Sequence, residues 1–274
     1  MLFCEIAPWA YRLSVKKCII ARKIKDAFSR QTFSYKRSKD KLPVVVYRHS
    51  SLIRRKLGNT ELDLQEGKAV NLALSAPKIT GVLIRPGEIF SFWHLVGPDN
   101  AKNGYKEGLT ISKGKPSRGI GGGMCQFTNL IHWLVLHSEL TIVEHHHHDG
   151  LDLFPDYRRQ IPFGTGTSIV YNYLDYRFRN DTDNTYQLIV WSDSEYLRGE
   201  LRAAKPQKYK FHIYTENEYF SKEGDAVYRN GKVIRKTIDP HTGNHIKSET
   251  IRVNHAKVMY DTSHLVISSI EKSL

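Results

Sequence analysis

Residues 119–136 read Gly-Ile-Gly-Gly-Gly-Met-Cys-Gln-Phe-Thr-Asn-Leu-Ile-His-Trp-Leu-Val-Leu. Four glycines lead into Cys125. After it, Phe127, Leu130, Ile131, Leu134 and Val135 recur at three- and four-residue steps. That spacing predicts a helix of about three turns, apolar almost all round and therefore buried. Glycine permits backbone conformations that other residues avoid, and it lets a ligand approach the main chain. A helix start leaves N–H groups unpaired and carries partial positive charge. A thiol placed there should ionise more readily than a free one. The stretch therefore reads as a nucleophile beside an anion site, as a phosphate cradle, or as a buried structural thiol. The Lys-Ser/Thr that closes a P-loop is missing, which disfavours the cradle.

Upstream of this stretch, residues 82–84 read as a strand and 85–88 as a turn. Residues 89–93 alternate large apolar with small polar side chains, as a half-buried strand does. Residues 97–108 are glycine-punctuated and polar, an exposed loop, and 109–111 form a short strand. Helices are expected over 6–28 and 63–79, a strand over 42–48 and a loop over 49–58. Downstream, residues 140–143 read as a strand, and 168–173, 174–179 and 186–191 as three more. From residue 208 the pattern is strand after strand: 209–214, 226–228, 233–238 and 246–260. Asn230-Gly231 and Thr242-Gly243 sit where hairpin turns would go. The fold class is α+β: a mixed or antiparallel sheet packed on a central helix starting near Cys125, with an antiparallel β extension at the C-terminus. The expected segments are 1–60, 61–203 and 204–274.

The strand at 140–143 runs into Glu144-His145-His146-His147-His148-Asp149. Continued as extended chain, it puts His146 and His148 on one face and His145 and His147 on the other. Two histidines on one face can ligate a metal with Glu144 or Asp149. A single inward one can serve Cys125 as general base. The plain alternative is a solvated polar turn. Asp63, Glu88, Asp99, Asp152 and Asp156 show no paired spacing, so a glycosidase-like site is not supported and surface positions are expected.

The 274 residues are enough to bury a core without staples, and the composition is that of a globular chain. Net charge is +13, and residues 1–60, with fifteen Lys/Arg against three Asp/Glu, carry almost all of it. Such a segment suggests contact with anionic lipid, nucleic acid or an acidic partner. For the basic helix of residues 6–28, with Val15, Ile19, Ile20, Ile24 and Phe28 at helical steps, an anionic membrane surface is favoured over nucleic acid. The plainer reading, the norm for an amphipathic surface helix and preferred here, is a helix packed on the body of the protein with its charges in water. Three cysteines (Cys4, Cys18, Cys125) make no disulfide framework and no C-x-x-C pair. No run approaches the ~20 apolar residues of a membrane span. Charges throughout residues 1–30 interrupt the apolar core that a secretory leader needs. A cytoplasmic protein, in peripheral contact with the membrane, is expected.

The Gly121-Gly122-Gly123-Met124-Cys125-Gln126 core resembles the VanW family, named for a protein of some vancomycin-resistance clusters. Residues 85–92 (Arg-Pro-Gly-Glu-Ile-Phe-Ser-Phe) are similar to the family's PGExFSF element. Gly97-Pro98 and Gly104-Tyr105 follow at similar spacing. Ile142-Val143-Glu144 running into His148, and the stretch from Leu174 to Thr182, resemble two further elements. The resemblance spans residues 62–202. It implies a cysteine-dependent acyl transferase of L,D-transpeptidase type, acting on a peptidoglycan peptide or precursor, and no cofactor. Carried over, Cys125 would be the nucleophile and His148 its base. Backbone N–H groups at Gly122, Gly123, Met124 and Cys125 would hold the oxyanion, and Gln126 would orient a substrate carbonyl. Where many relatives carry Asp-Ala-Thr, this chain has Gly166-Thr167-Ser168. Ser168 or Asp149 would then orient the histidine. Two rivals stand beside this reading: a non-catalytic accessory protein binding a wall precursor or partner, and a histidine-cluster metalloprotein.

Overall fold

The computed structural model describes residues 4, 6–54, 62–112, 115–147, 150–155 and 160–268. In chain order its elements are α1 (Pro8–Phe28), β1 (Thr32–Phe33), β2 (Val44–Leu52), α2 (Leu62–Ile79), β3 (Val82–Ile84), β4 (Glu88–Ser91), α3 (Phe92–Val96), β5 (Glu107–Ser112), β6 (Lys115–Ile120) and α4 (Met124–Leu136). They are followed by β7 (Thr141–Glu144), β8 (Leu151–Asp152), β9 (Arg177–Arg179), β10 (Tyr186–Ser192), β11 (Tyr196–Ala203), β12 (Lys210–Glu223), β13 (Ala226–Ile238), β14 (His245–Val258) and β15 (Ile267–Ser268). The class is α+β, as the sequence indicates.

The expected central helix is α4. Phe127, Leu130, Ile131, Leu134 and Val135 are all buried. It packs with α2 against an antiparallel sheet ordered β2-β11-β10-β3. Gly199 of β11 makes this close: a Cβ there would press on Leu130 and Leu134 of α4. The far end of α4 enters a second core, where Trp133 and Leu136 meet Phe211, Ile213 and Val233 of the C-terminal sheet. That sheet is ordered β15-β12-β13-β14-β8, antiparallel through its three long strands and parallel at both edges. A further sheet is ordered β1-β4-β9-β7, and β5 pairs with β6 as a hairpin.

Several expectations need correction. Residues 89–93 do not continue as a strand. Ser91 accepts from the His94 N–H and turns the chain into α3, as an N-cap serine does. Ser91 also donates to Asp175 (2.5 Å), which fixes this corner. Residues 49–52, expected in a loop, finish β2, because β11 supplies a partner for each of them. Residues 168–173 are no strand; they make a turn closed by the Val170–Leu174 bridge. Asn230-Gly231 lies inside β13 beside an irregularity of β12, and the hairpin turns at Gly224 instead. Thr242-Gly243 does turn, with Gly243 at φ 72°.

The basic helix α1 packs on the body through its charged inner face. Arg22 makes a paired contact with Glu144 (2.6 and 2.7 Å) and donates to the Tyr173 carbonyl. Asp26 accepts both ends of the Arg177 guanidinium (2.7 Å each) and lies 3.0 Å from His94 Nε2. Bidentate geometry and burial make these pairs stronger than surface ion pairs.

Candidate functional site

The glycine run is a packing device. Gly121 and Gly123 have φ of +76° and +93°, which side chains avoid. A Cβ on Gly121 would strike the Asp99 carboxylate, one on Gly122 the backbone of Gly108, and one on Gly123 the Lys68 side chain. The N–H of Gly121 donates to Lys106 O, that of Gly122 to Gly119 O and that of Gly123 to Leu109 O, at 2.9–3.1 Å. Asn71 braces the turn by donating to the carbonyls of Gly122 and Lys106. The N–H groups of Gly122 and Gly123, expected to hold an oxyanion, are thus spent on protein carbonyls. Met124 is a core residue whose sulfur faces the Ser75 hydroxyl. The Gln126 amide donates to Ser51 Oγ (2.9 Å) and Leu52 O (2.8 Å), so it ties α4 to the end of β2.

Cys125 follows, half-buried in the first turn of α4. Burial pushes its thiol above the ordinary range, and the nearby Asp99 carboxylate adds to this. The N–H groups of Ile169 and of Cys125 itself favour the thiolate and pull the other way. The helix start was expected to ease ionisation; here desolvation outweighs it. Asp99, expected at the surface, is the titratable group that sequence reasoning missed. Burial pushes it up to about 6, against its own backbone N–H and the Lys78 ammonium. Tyr171 joins the group: burial and Asp99 raise its hydroxyl, and its ring stands edge-on to Trp93 at 5.5 Å. The signal within the sequence is the preceding Gly97-Pro98, whose turn carries Asp99 toward the glycine run.

A polar brace holds the segment that precedes Ile169. Thr167 N–H donates to Asn129 Oδ1 (2.6 Å). The Thr167 hydroxyl contacts Asn129 Oδ1 (2.8 Å), Thr128 Oγ1 (2.5 Å) and the Cys125 carbonyl (3.4 Å). Asn129 and Thr128 are on α4, so this segment is pinned to the helix that carries the thiol. Ser168 is buried and its N–H donates to the His146 carbonyl at 2.7 Å.

Of the histidine run, residues 145–147 are described. The rings of His145 and His147 meet at 3.9 Å, tilted by 54°, and His145 lies 4.2 Å from the ring of buried His132. His146 turns the other way, to Glu144 at 3.0 Å. His132 pairs with the Tyr176 hydroxyl (3.1 Å), and burial, helped by His145 and His147, lowers it well below the usual histidine range. Glu144 is held below its usual range by Arg22 and His146, in spite of its burial. Among the described residues, no group of three His, Cys, Asp or Glu is placed to hold a metal ion. His148 and Asp149 lie outside the described residues.

A family model described as VanW like protein matches residues 67–202. The chain is also 37% identical, over 204 residues and 74% of each chain, to the vancomycin B-type resistance protein VanW of Enterococcus faecalis (strain ATCC 700802 / V583). The chain belongs to the VanW family. The uncharacterized protein YoaR of Bacillus subtilis (strain 168) is 31% identical over 118 residues, 42% of this chain and 36% of its own. No solved structure matches. The VanW match runs from Gly67 in α2 to Arg202 in β11. It therefore takes in Asp99, Cys125, the histidine run and Tyr171, but not α1 or the three long C-terminal strands.

Proposed function

We propose that this VanW-family protein contributes to glycopeptide (vancomycin) resistance by cysteine-dependent acyl transfer on a peptidoglycan peptide or its precursor, in the manner of an L,D-transpeptidase. The observation that supports this reading is the position of Cys125 in the first turn of α4, next to a glycine turn packed against the carboxyl of Asp99. Cys125 Sγ attacks a peptide carbonyl, and its proton passes to a base, the role the family element gives to His148. The oxyanion collapses, the leaving amine takes the proton, and a thioester remains. An acceptor amine then attacks the thioester and frees the thiol. Asp99, titrating near neutrality, supplies a second acid–base group. The raised thiol needs substrate to displace water and draw its proton before it attacks.

Incubating the protein with tetra- and pentapeptide stems and measuring intact mass tests this. An acyl adduct is expected, absent in Cys125→Ala and Cys125→Ser, together with loss of glycopeptide resistance in cells carrying either variant. No adduct and unchanged resistance would remove the nucleophile. A second reading, a non-catalytic protein that binds a wall precursor, is favoured by the neutral state of the thiol. It expects stem-peptide affinity to survive Cys125→Ser undiminished and no adduct in any form.

A further inference from the structure

We propose that the outward face of α1 docks on an anionic lipid bilayer, lying in its surface. With 100° between successive residues, Trp9, Leu13, Ile20 and Ile24 fall within an arc of roughly 60°, and Phe28 continues its edge. Each of these five side chains is more than half exposed, Phe28 at 86%. Exposed Arg12, Lys16 and Lys23 border one side of the arc, and exposed Lys17 the other. Exposure of so many large apolar side chains in one stripe marks a contact surface, and the flanking cations select a negatively charged one.

The inner face explains why the stripe cannot turn inward. Arg22 and Asp26 project from the opposite side of the helix and are both held by partly buried ion pairs, to Glu144 and to Arg177. Rotating α1 to bury Ile20 and Ile24 would break both pairs and strand Arg177 beside buried Asp175. The helix is thus fixed with its apolar stripe outward. No helix among the described residues is long and apolar enough to cross a membrane, so the geometry fits a helix lying on the bilayer. The excess of positive charge in residues 1–60 supplies the long-range attraction. This docking does not depend on the reaction proposed at Cys125, and failure of one leaves the other standing.

Co-sedimentation of the full chain with vesicles tests it. Binding is expected to vesicles of phosphatidylglycerol mixed with phosphatidylcholine and not to phosphatidylcholine alone, and it should fall steeply from roughly 0.05 to 0.5 M NaCl. Ile20→Glu/Ile24→Glu should reduce binding more than about tenfold, and Lys16→Ala and Lys23→Ala roughly fivefold each. All four side chains are exposed, so thermal unfolding should be unchanged and confirms that the variants fold. Equal binding to neutral vesicles, or binding untouched by Ile20→Glu/Ile24→Glu, overturns the proposal. So does a dimer that binds no vesicles and becomes a monomer in that double variant, because the stripe would then belong to a second copy.

Discussion

Cys125 and His132 stand about two turns apart on α4, and burial drives both toward the neutral form. Their neighbours differ. His132 meets a tyrosine hydroxyl and two more imidazoles, and its Nε2 has no hydrogen-bond partner among the described residues. Cys125 lies near a carboxyl, that of Asp99, which titrates near 6. One helix thus carries an imidazole that burial keeps neutral and, near its start, a thiol beside a carboxyl that titrates near 6. The lesson is that burial alone marks neither as reactive; the deciding feature is a neighbour whose charge changes within the working pH range.

The largest expected effect tests the mount of the thiol. Gly122→Ala pushes a methyl into the Gly108 backbone and should cost at least about 3 kcal/mol in urea unfolding. A variant of unchanged stability would mean that the glycine turn is open space available to ligand. Next, His132→Ala removes a fully buried ring and the partner of Tyr176, for a loss of about 2–4 kcal/mol. Adduct formation per folded molecule should persist; its loss without a loss of stability would make the cluster part of the reaction.

Asp99→Asn sharpens the comparison through pH. The folded carboxyl holds its proton more tightly than the unfolded chain does. Its stabilising contribution is therefore complete below the unfolded value near 3.8 and is lost as pH rises through about 6. The wild type should lose about 3 kcal/mol relative to Asp99→Asn across that window, read from parallel denaturation at pH 3.5 and 7. The smallest effect concerns the thiol itself. In a Cys4→Ser/Cys18→Ser background, alkylation of Cys125 should have its midpoint above the usual thiol value of about 8.5, and Asp99→Asn should move it down. A midpoint below that value would restore the helix-start expectation.

Much of this was legible in advance where the signal is local. The three- and four-residue spacing after Cys125 specifies α4, and the alternation within the histidine run places His145 and His147 together. The resemblance to the VanW family was legible in short motifs, among them Gly121 to Gln126, which turns the chain into α4. What was hidden depends on distant partners. β11 is crossed by Arg198, Glu200 and Arg202, which look like a solvated stretch. In the fold Arg202 pairs with Glu200 and Arg198 with Asp193, while Leu197 and Leu201 face the core. Asp99 looked like any loop carboxylate, since its surroundings, Gly121 among them, come from elsewhere in the chain. The glycine run was read as room for a ligand, and the space proves to be filled by Asp99, Gly108 and Lys68.

The pairing of β2 with β11 has a consequence for how the chain is made. Leu52 finds its partner in Tyr196, and at roughly 5–20 residues per second a ribosome takes about 7–30 s to synthesise the stretch between them. Over that interval Val44, Val45 and Val46 emerge as a bare strand with no edge to join, beside a helix whose anchors, Glu144 and Arg177, have yet to be translated. Early contact with a chaperone or a lipid surface would shield them. The newest part of the chain therefore completes the oldest, and nascent-chain pulldowns stalled before residue 196 should show the N-terminal region protease-sensitive, and stalled after residue 203 plus the length of the exit tunnel, resistant.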